Sequence, residues 1–284
     1  MIHKAKKSLG QNFLKSELAL KKIIEAGEIK PGDVVLEIGP GKGALTEKLL
    51  QTGATVVAVE KDRELFEFLK TKFATQIQLG AFVLINEDIL NFNLKQNVLE
   101  RTSSQRDGAR KAIHQQVNMR GESENILCSY KLIANIPYNI TGAILKKFLT
   151  AENQPERMVL MVQHEVASRI VARDGKESIL SISVKAYGEP KMVMKVNKRY
   201  FSPEPKVDSA IIEIKNISRQ FFYKNKINEE KFWEIVKNGF AHKRKKLSSN
   251  LKGLISTEKL SSANLGDKRA EDLSLSDWSM LAKN

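Results

Sequence analysis

The sequence is short of the residues that build disulfides and metal sites. Its single cysteine, Cys128, excludes an intrachain disulfide and fits a reducing compartment. The four histidines are scattered, with no Cys/His cluster at metal-ligand spacing. No apolar run approaches the ~18 residues that a membrane helix needs, and the basic N-terminus lacks the apolar core of a signal peptide. These absences predict a cytoplasmic protein without a metal site or a membrane partner.

Positive charge is what the sequence has in excess. Lysine and arginine number 47 against 33 acidic residues, which gives a formal net charge of +14. Such a chain is attracted to polyanions. Hydrophobic residues make up 42% of the chain, which is enough for a folded core. We therefore expect a folded monomer whose partner is a nucleic acid.

Strand and helix patterns alternate over the first part of the chain. Strands are predicted at 33–39, 55–60, 81–88, 130–136 and 157–163. Helices are predicted at 16–29, 41–51, 62–73 and 141–149. Short β-branched strands separated by helices are typical of an open parallel sheet with helices on both faces. The fold class is therefore α/β.

The pattern changes in the second half. Two further strands, at 191–201 and 209–216, follow one another without a helix and predict an antiparallel pair at the sheet edge. After Asn216 the pattern is helical, so we predict a catalytic domain at 1–216 and a small helical domain at 217–284. The polar stretch 92–129 fits no element and predicts a flexible insertion.

A glycine-rich turn follows the first predicted strand. In the stretch LEIGPGKGALT, Gly39 and Gly41 allow a tight turn and close approach of a ligand to the backbone. Glu60 ends the next strand, where a carboxylate reaches the ribose hydroxyls of a bound nucleoside. Asp88 ends the third and could accept a hydrogen bond from an adenine amino group. An adenosine-containing ligand is indicated, and NAD and S-adenosylmethionine both qualify at this point.

The stretch NIPY decides between the two cofactors. Asn135 and the Ile136 carbonyl end the fourth strand, Pro137 fixes the turn, and Tyr138 presents an aromatic face. An exocyclic amine held between the Asn135 oxygen and the Ile136 carbonyl could attack a sulfonium methyl, through positioning and electrostatics. Nothing in the sequence would position a hydride acceptor. The motif therefore favours S-adenosylmethionine and an amino-directed methyltransferase.

Several motifs together resemble the ribosomal RNA adenine N6-dimethyltransferase family, most nearly its small-subunit (16S, KsgA-type) enzymes. The matching stretches are KSLGQNFL, EIGPGKGALT, NIPYNIT, MVQHEVASRI, FSPEPKVDSAII and RAEDLSLSDW. The resemblance implies a Rossmann-like class I S-adenosylmethionine-dependent methyltransferase sheet. It also implies N6,N6-dimethylation of two adjacent adenosines near the 3′ end of 16S rRNA, within the small ribosomal subunit.

The resemblance also implies roles for residues at matching positions. The expected cofactor-binding residues are Gln11, Asn12, Leu14, Gly39, Gly41, Glu60, Asp88 and Asn135. Tyr138 would stack on the flipped target base, and Phe201 would cover its other face. The family has a shorter link where this chain has residues 92–129, so that stretch is an insertion.

A basic run, Lys243, Arg244, Lys245 and Lys246, lies in the predicted helical domain. It would contact RNA phosphates, which gives affinity and salt dependence without base specificity. Two other functions stay open. One is a 23S rRNA adenine N6-methyltransferase that confers macrolide resistance, and the other is a non-catalytic ribosome-assembly factor.

Overall fold

The computed structural model describes residues 5–6, 9–93 and 129–283. The strands are β1 (Phe13–Leu14), β2 (Val34–Ile38), β3 (Thr55–Glu60), β4 (Phe82–Asn86), β5 (Lys131–Asn135), β6 (Arg157–Gln163), β7 (Glu189–Val196), β8 (Phe201–Ser202) and β9 (Ser209–Lys215). The helices are α1 (Glu17–Gly27), α2 (Ala44–Leu50), α3 (Arg63–Lys72), α4 (Ala74–Gln78), α5 (Thr141–Leu149), α6 (His164–Val171), α7 (Ile179–Lys185), α8 (Gln220–Asn225), α9 (Glu229–Gly239), α10 (Leu247–Asn250), α11 (Thr257–Ser262) and α12 (Leu275–Ala282).

In the described part of the chain, the main sheet has seven strands in the order β4-β3-β2-β5-β6-β9-β7. The strands from β4 to β6 are parallel, and β9 and β7 are antiparallel to their neighbours. This confirms the predicted parallel sheet and the antiparallel pair at its edge. The chain order reverses between β2 and β5, and open α/β sheets bind ligands outside the carboxyl ends of the strands at that point.

Several element boundaries differ from the prediction. Helix α2 begins at Ala44 rather than at residue 41, because Gly41 and Gly43 have positive φ angles of 59° and 79°. Strand β4 ends at Asn86, so Asp88 lies in the loop beyond it rather than at the strand end. Helices α6 and α7 were not predicted, and α6 follows β6 without a turn that would separate them.

The C-terminal helices share their hydrophobic core with one face of the sheet. One cluster of buried residues joins Leu36 of β2 and Leu160 of β6 to Phe232 and Trp278 of the helices. A second cluster covers the opposite face, beneath α1 and α2. The region after residue 216 is helical as predicted, and its separation as a domain stays a prediction.

Arg219 ties the C-terminal helices to the sheet region. Its two terminal nitrogens donate hydrogen bonds to the carbonyls of Ala151 and Thr150, at 2.9 and 2.7 Å. Its Nε donates to the Glu229 carboxylate at 3.1 Å. These bonds fix the start of the helical region against the loop that follows α5.

The predicted insertion at 92–129 lies almost entirely outside the described residues. Its first residue, Phe92, is 2% exposed and belongs to the hydrophobic core, so this residue is part of the folded domain and not of a surface insertion. Residues 94–128 are not among those described.

Candidate active site

A cleft of about 520 Å³ opens at the carboxyl ends of β2, β3 and β5. It gathers residues from widely separated parts of the sequence, because parallel strands all end at the same edge of the sheet. The predicted site residues that line it are Gln11, Asn12, Leu14, Gly39, Gly41, Glu60, Asp88, Asn135, Ile136, Pro137 and Tyr138. Of the predicted catalytic and cofactor-binding residues, only Phe201 is not brought to the cleft.

The glycine turn forms one wall of the cleft. The Gly39 N–H donates to the Val59 carbonyl at 2.9 Å, which joins the turn to β3. A Cβ at Gly41 would lie 3.0 Å from the Phe13 ring, so the N-terminal segment closes directly over the turn. Close approach of this kind requires glycine.

Glu60 ends β3 inside the cleft, as predicted from the sequence. It is 5% exposed, and its carboxylate accepts hydrogen bonds from the N–H groups of Gly41 at 3.2 Å and Asp62 at 2.8 Å. Burial raises the pKa of this carboxyl, and the two N–H donors oppose that rise. The carboxylate is therefore fixed in place between the glycine turn and the start of α3.

Asp62 anchors the N-terminal segment to the cleft. It caps α3, and its carboxylate accepts hydrogen bonds from the Lys6 ammonium and from Gln11 Nε2, both at 2.8 Å. These hydrogen bonds outweigh burial and lower the pKa of Asp62, although desolvation is the largest single influence. Sequence reasoning missed this residue, because an acidic N-cap is common and gave no functional signal.

Glu37 is a second carboxyl in the cleft wall that the sequence analysis did not single out. It lies within β2, is 1% exposed, and accepts a hydrogen bond from the Thr46 hydroxyl at 2.7 Å. Burial raises its pKa to about 8, with the Thr46 hydrogen bond opposing and nearby Glu60 adding to the rise. A glutamate in the middle of a strand whose neighbours are all apolar was the signal that could have found it.

Asp88 lines the cleft from the loop that follows β4. One carboxylate oxygen pairs with the Lys61 ammonium at 2.8 Å, and the other accepts from the Leu90 N–H at 3.0 Å. The Lys61 hydrogen bond, followed by that of Leu90, lowers the pKa of Asp88. The group is thus an ionised acceptor held near the cleft.

Asn135 is the last residue of β5. Its Nδ2 donates to the Asn12 carbonyl at 3.1 Å, which links the strand end to the N-terminal segment. This bond orients the side-chain amide, and no described residue donates a hydrogen bond to its Oδ1. Ile136 and Pro137 follow and also line the cleft. The predicted role of the Asn135 oxygen and the Ile136 carbonyl as a pair of acceptors stays a prediction.

Tyr138 is half-buried in the cleft wall. Its hydroxyl is 2.6 Å from the Ser209 hydroxyl, which lies fully buried at the start of β9. Burial raises the pKa of Tyr138, so the phenol stays neutral at ordinary pH. Ser209 fixes the ring through this hydrogen bond, and no local pattern in the sequence points to it.

Phe201 is placed differently from the expectation that it covers a bound base. It is 2% exposed and packs in the core beneath α1. It pairs with Leu14 across the two-stranded ladder of β1 and β8, and its neighbour Ser202 lines the cleft instead. Side chains alternate along a strand, so burying one residue turns the next outward.

The basic run of residues 243–246 is exposed in the loop between α9 and α10. Lys246 pairs with Asp267 at 2.7 Å. The other three side chains have no carboxylate partner among the residues described, so they are available to an anionic ligand.

Within the described ranges, no group of three or more His, Cys, Asp or Glu side chains is placed to hold a metal ion. No helix in those ranges is long and apolar enough to span a bilayer.

Comparisons with known proteins agree on the family. The sequence profile of the family described as ribosomal RNA adenine dimethylase matches residues 2–283. The ribosomal RNA small subunit methyltransferase A of Dehalococcoides mccartyi (strain CBDB1) is 39% identical over 285 residues, covering 98% of this chain and 87% of that protein. A solved dimethyladenosine transferase from Plasmodium falciparum has a TM-score of 0.73 at 24% identity, covering 95% of both chains. The structure of the 23S rRNA methyltransferase ErmE has a TM-score of 0.70 at 24% identity, covering 95% of this chain and 98% of that one.

The sheet order and these structural matches define the class. The protein has the class I S-adenosylmethionine-dependent methyltransferase fold. Within that class, the chain belongs to the ribosomal RNA adenine dimethylase family and is an enzyme. The family and the fold that the motifs predicted are therefore confirmed.

Proposed function

We propose that this chain transfers methyl groups from S-adenosylmethionine to N6 of two adjacent adenosines near the 3′ end of 16S rRNA, within the small ribosomal subunit. The observation that carries the proposal is the meeting of two motifs in one cleft. The glycine turn and Glu60 form one side, and residues 135–138 form the other. Relatives that align over nearly the whole chain are named small subunit methyltransferases, which supports this target.

The cleft suits a nucleoside that carries positive charge. Its volume of about 520 Å³ is within the range of ligand pockets. Two buried carboxyl groups, those of Glu37 and Glu60, line it, and a nearby cation stabilises the ionised form of such groups. S-adenosylmethionine, when bound here, supplies the methyl group that is transferred. The residues that would hold it are Gln11, Asn12, Leu14, Gly39, Gly41, Glu60, Asp88 and Asn135.

Asn135 and Ile136 would activate the target amine by holding it. An exocyclic amine is a weak nucleophile, because its lone pair is delocalised into the ring. Two acceptors that hold its N–H bonds favour a more tetrahedral nitrogen and free the lone pair for in-line attack. Catalysis then comes mainly from positioning and electrostatics. The described histidines, His164 and His242, do not line the cleft, in accord with chemistry that needs no strong general base.

Tyr138 would hold the target base by stacking. A base inside a helix cannot reach the cleft, so the adenosine must leave its stack. The half-buried Tyr138 ring would replace the stacking that the base loses, and base–aromatic stacking contributes ~1–3 kcal/mol. The exposed basic loop at residues 243–246 would contact phosphates of the surrounding RNA.

The proposal is tested by offering labelled S-adenosylmethionine with three substrates side by side: unmethylated small subunits, naked 16S rRNA and large-subunit 23S rRNA. The product nucleosides are then separated, with fully methylated small subunits as the control. Label in N6,N6-dimethyladenosine from small subunits alone is the expected result. Label in 23S rRNA would reassign the target. No label, with intact donor binding and tight RNA binding, would indicate a non-catalytic assembly factor.

A further inference from the structure

An exposed aromatic side chain lies at the rim of the cleft, outside the chemistry described so far. Tyr200 is 36% exposed and directly precedes β8, whose Ser202 lines the cleft. Its carbonyl accepts a hydrogen bond from the Lys15 N–H at 2.8 Å, and Lys15 also lines the cleft. The backbone of Tyr200 is therefore joined to two segments that line the cleft.

Arg199 lies against the ring of Tyr200. Its guanidinium carbon is 5.1 Å from the ring centroid, within cation–π range, and its Nη2 donates to the Tyr200 hydroxyl at 3.1 Å. Unpaired RNA bases stack on aromatic rings and on guanidinium planes. The two side chains together thus present flat surfaces suited to a base.

The turn that carries these side chains is held by its own hydrogen bonds. Asn197 Oδ1 accepts from the Arg199 N–H, and the Asn197 carbonyl accepts from the Tyr200 N–H, both at 3.1 Å. Asp208 Oδ1 accepts from the Lys198 N–H at 3.0 Å. A surface fixed before binding loses less entropy when a ligand arrives.

The charges around the ring favour a phosphate-bearing ligand. Lys195 and Lys198 are ion-paired with acidic residues of the same loop. Lys15 and Arg199, which contact Tyr200, are exposed, and neither has a carboxylate partner within the described ranges. Unpaired cations beside an exposed aromatic ring are the combination that binds single-stranded nucleic acid.

We propose that Tyr200 and Arg199 form a second stacking platform, which holds the nucleotide next to the target adenosine in an unpaired stretch of RNA. The proposal rests on the proposed function, because it extends the recognition of RNA by the same cleft. Tyr138 takes the target base inside the cleft, and Tyr200 takes its neighbour at the rim.

The test compares Tyr200→Ala with Tyr223→Ala, a matched control whose ring is 72% exposed and outside the cleft lining. Loss of one stacked base predicts a rise of about tenfold in the KM for unmethylated small subunits. The kcat and the donor Kd should not change, and Tyr223→Ala should match the wild type. Tyr200→Phe keeps the stacking ring and should stay within about twofold of the wild-type KM, whereas Arg199→Ala should raise it severalfold.

A second measurement, the affinity for a single-stranded adenosine oligonucleotide, distinguishes an error in the proposed stacking platform from an error in the proposed function. This binding needs no methyl transfer, and Tyr200→Ala should weaken it by about tenfold. Unchanged oligonucleotide affinity in that variant would contradict the proposal of a stacking platform, whichever RNA the wild type methylates. A variant that loses donor binding or thermal stability together with RNA affinity would also overturn it, because Tyr200 would then be a structural residue. A wild type that binds the oligonucleotide but methylates no small subunits would contradict the proposed function alone.

Discussion

Tyr138 depends on a residue far away in sequence for its orientation. Its hydroxyl lies 2.6 Å from that of Ser209, which β9 holds in a fully buried position. A hydrogen bond of this kind limits rotation of the phenol, so the ring keeps one inclination toward the cleft. The geometry of the cleft wall at Tyr138 is therefore set partly by the antiparallel edge of the sheet.

Ser209→Ala should lower the kcat for methyl transfer by about threefold to tenfold, since a neutral hydrogen bond contributes ~0.5–1.5 kcal/mol. The donor Kd should stay the same, because Ser209 does not line the cleft. Steady-state kinetics on small subunits measure both. Tyr138→Phe removes the same hydrogen bond by deleting the other hydroxyl. The double variant, Ser209→Ala with Tyr138→Phe, should therefore have a kcat no lower than that of the slower single variant. Additive losses would show that the hydrogen bond is not the cause.

Burial of Glu37 makes the free energy of unfolding depend on pH. Its folded-state pKa is raised from 4.5 to about 8, so the folded protein keeps a proton that the unfolded chain releases. The contribution of Glu37 to stability is therefore complete below about pH 4.5 and is lost as pH rises through about 8. Over that interval, Glu37 should lower the free energy of unfolding by up to ~1.4 kcal/mol per pH unit.

Urea unfolding at several pH values checks this expectation. In Glu37→Gln the decline between pH 5 and pH 8 should be smaller than in the wild type, because the group that releases the proton is absent. The exposed Glu67→Gln variant serves as the matched control and should follow the wild-type curve. Parallel curves for all three proteins would contradict the assignment of the proton to Glu37.

At the scale of elements, the turn between β2 and α2 is packed too closely for any side chain at Gly43. A Cβ there would lie 2.6 Å from the Phe73 ring, and the backbone has a φ of 79°. Gly43→Ala should therefore lower the free energy of unfolding by about 2–4 kcal/mol, from overpacking and backbone strain. Thermal or urea denaturation measures this change.

Gly142 offers the matched control within α5. A Cβ there would meet nothing within 4 Å, and its backbone is helical. Gly142→Ala should raise stability by up to ~1 kcal/mol, since alanine has the higher helix propensity. Equal changes in the free energy of unfolding for the two substitutions would show that crowding against Phe73 is not the reason why Gly43 is required.

Much of this architecture was predictable from local patterns. Alternating strands and helices gave the sheet, and Glu60 and Asn135 were found because each stands where a strand pattern stops. The start of α2 was misplaced, because the sequence does not show how many glycines adopt positive φ. Helix α6 was missed since it follows β6 directly, without a residue that marks a turn.

The rest of the site depends on contacts between distant segments. Asp62 accepts hydrogen bonds from Lys6 and Gln11, more than 50 residues earlier in the chain, and Tyr138 contacts Ser209, 71 residues later. Phe201 begins β8 with its side chain buried, which sets the phase of that strand, whereas Tyr200 ends the turn before β8 and is exposed. A two-residue strand carries no periodic pattern, so the sequence could not reveal that phase.

At the scale of the whole molecule, a net charge of +14 accompanies a core made of two hydrophobic clusters. The C-terminal helices share buried residues with the sheet, so the basic loop at 243–246 is held in a fixed relation to the cleft. Under the proposed function, substrate RNA would be bound by phosphate contacts in one place and by its bases in another. This division separates affinity from target choice.

Neutralising Lys243, Arg244 and Lys245 together should reduce the salt dependence of 16S rRNA binding. Each lost phosphate contact makes the slope of log K against log salt shallower by ~0.7–0.9, so the change should be about 2–3. Filter binding at several salt concentrations measures the slope. Neutralising three exposed lysines elsewhere, Lys21, Lys30 and Lys70, is the control. An equal change in both variants would show that only net charge matters.

The Asn135→Ala variant tests most directly whether Asn135 holds the target amine during methyl transfer. Single-turnover transfer to unmethylated small subunits should fall by about 10²–10³-fold, the usual loss when one transition-state hydrogen-bonding group is removed. Asn135→Asp keeps the acceptor oxygens and should retain more activity than the alanine variant. RNA binding should survive in both variants. Near-normal transfer by Asn135→Ala, or loss of its RNA binding, would contradict the account.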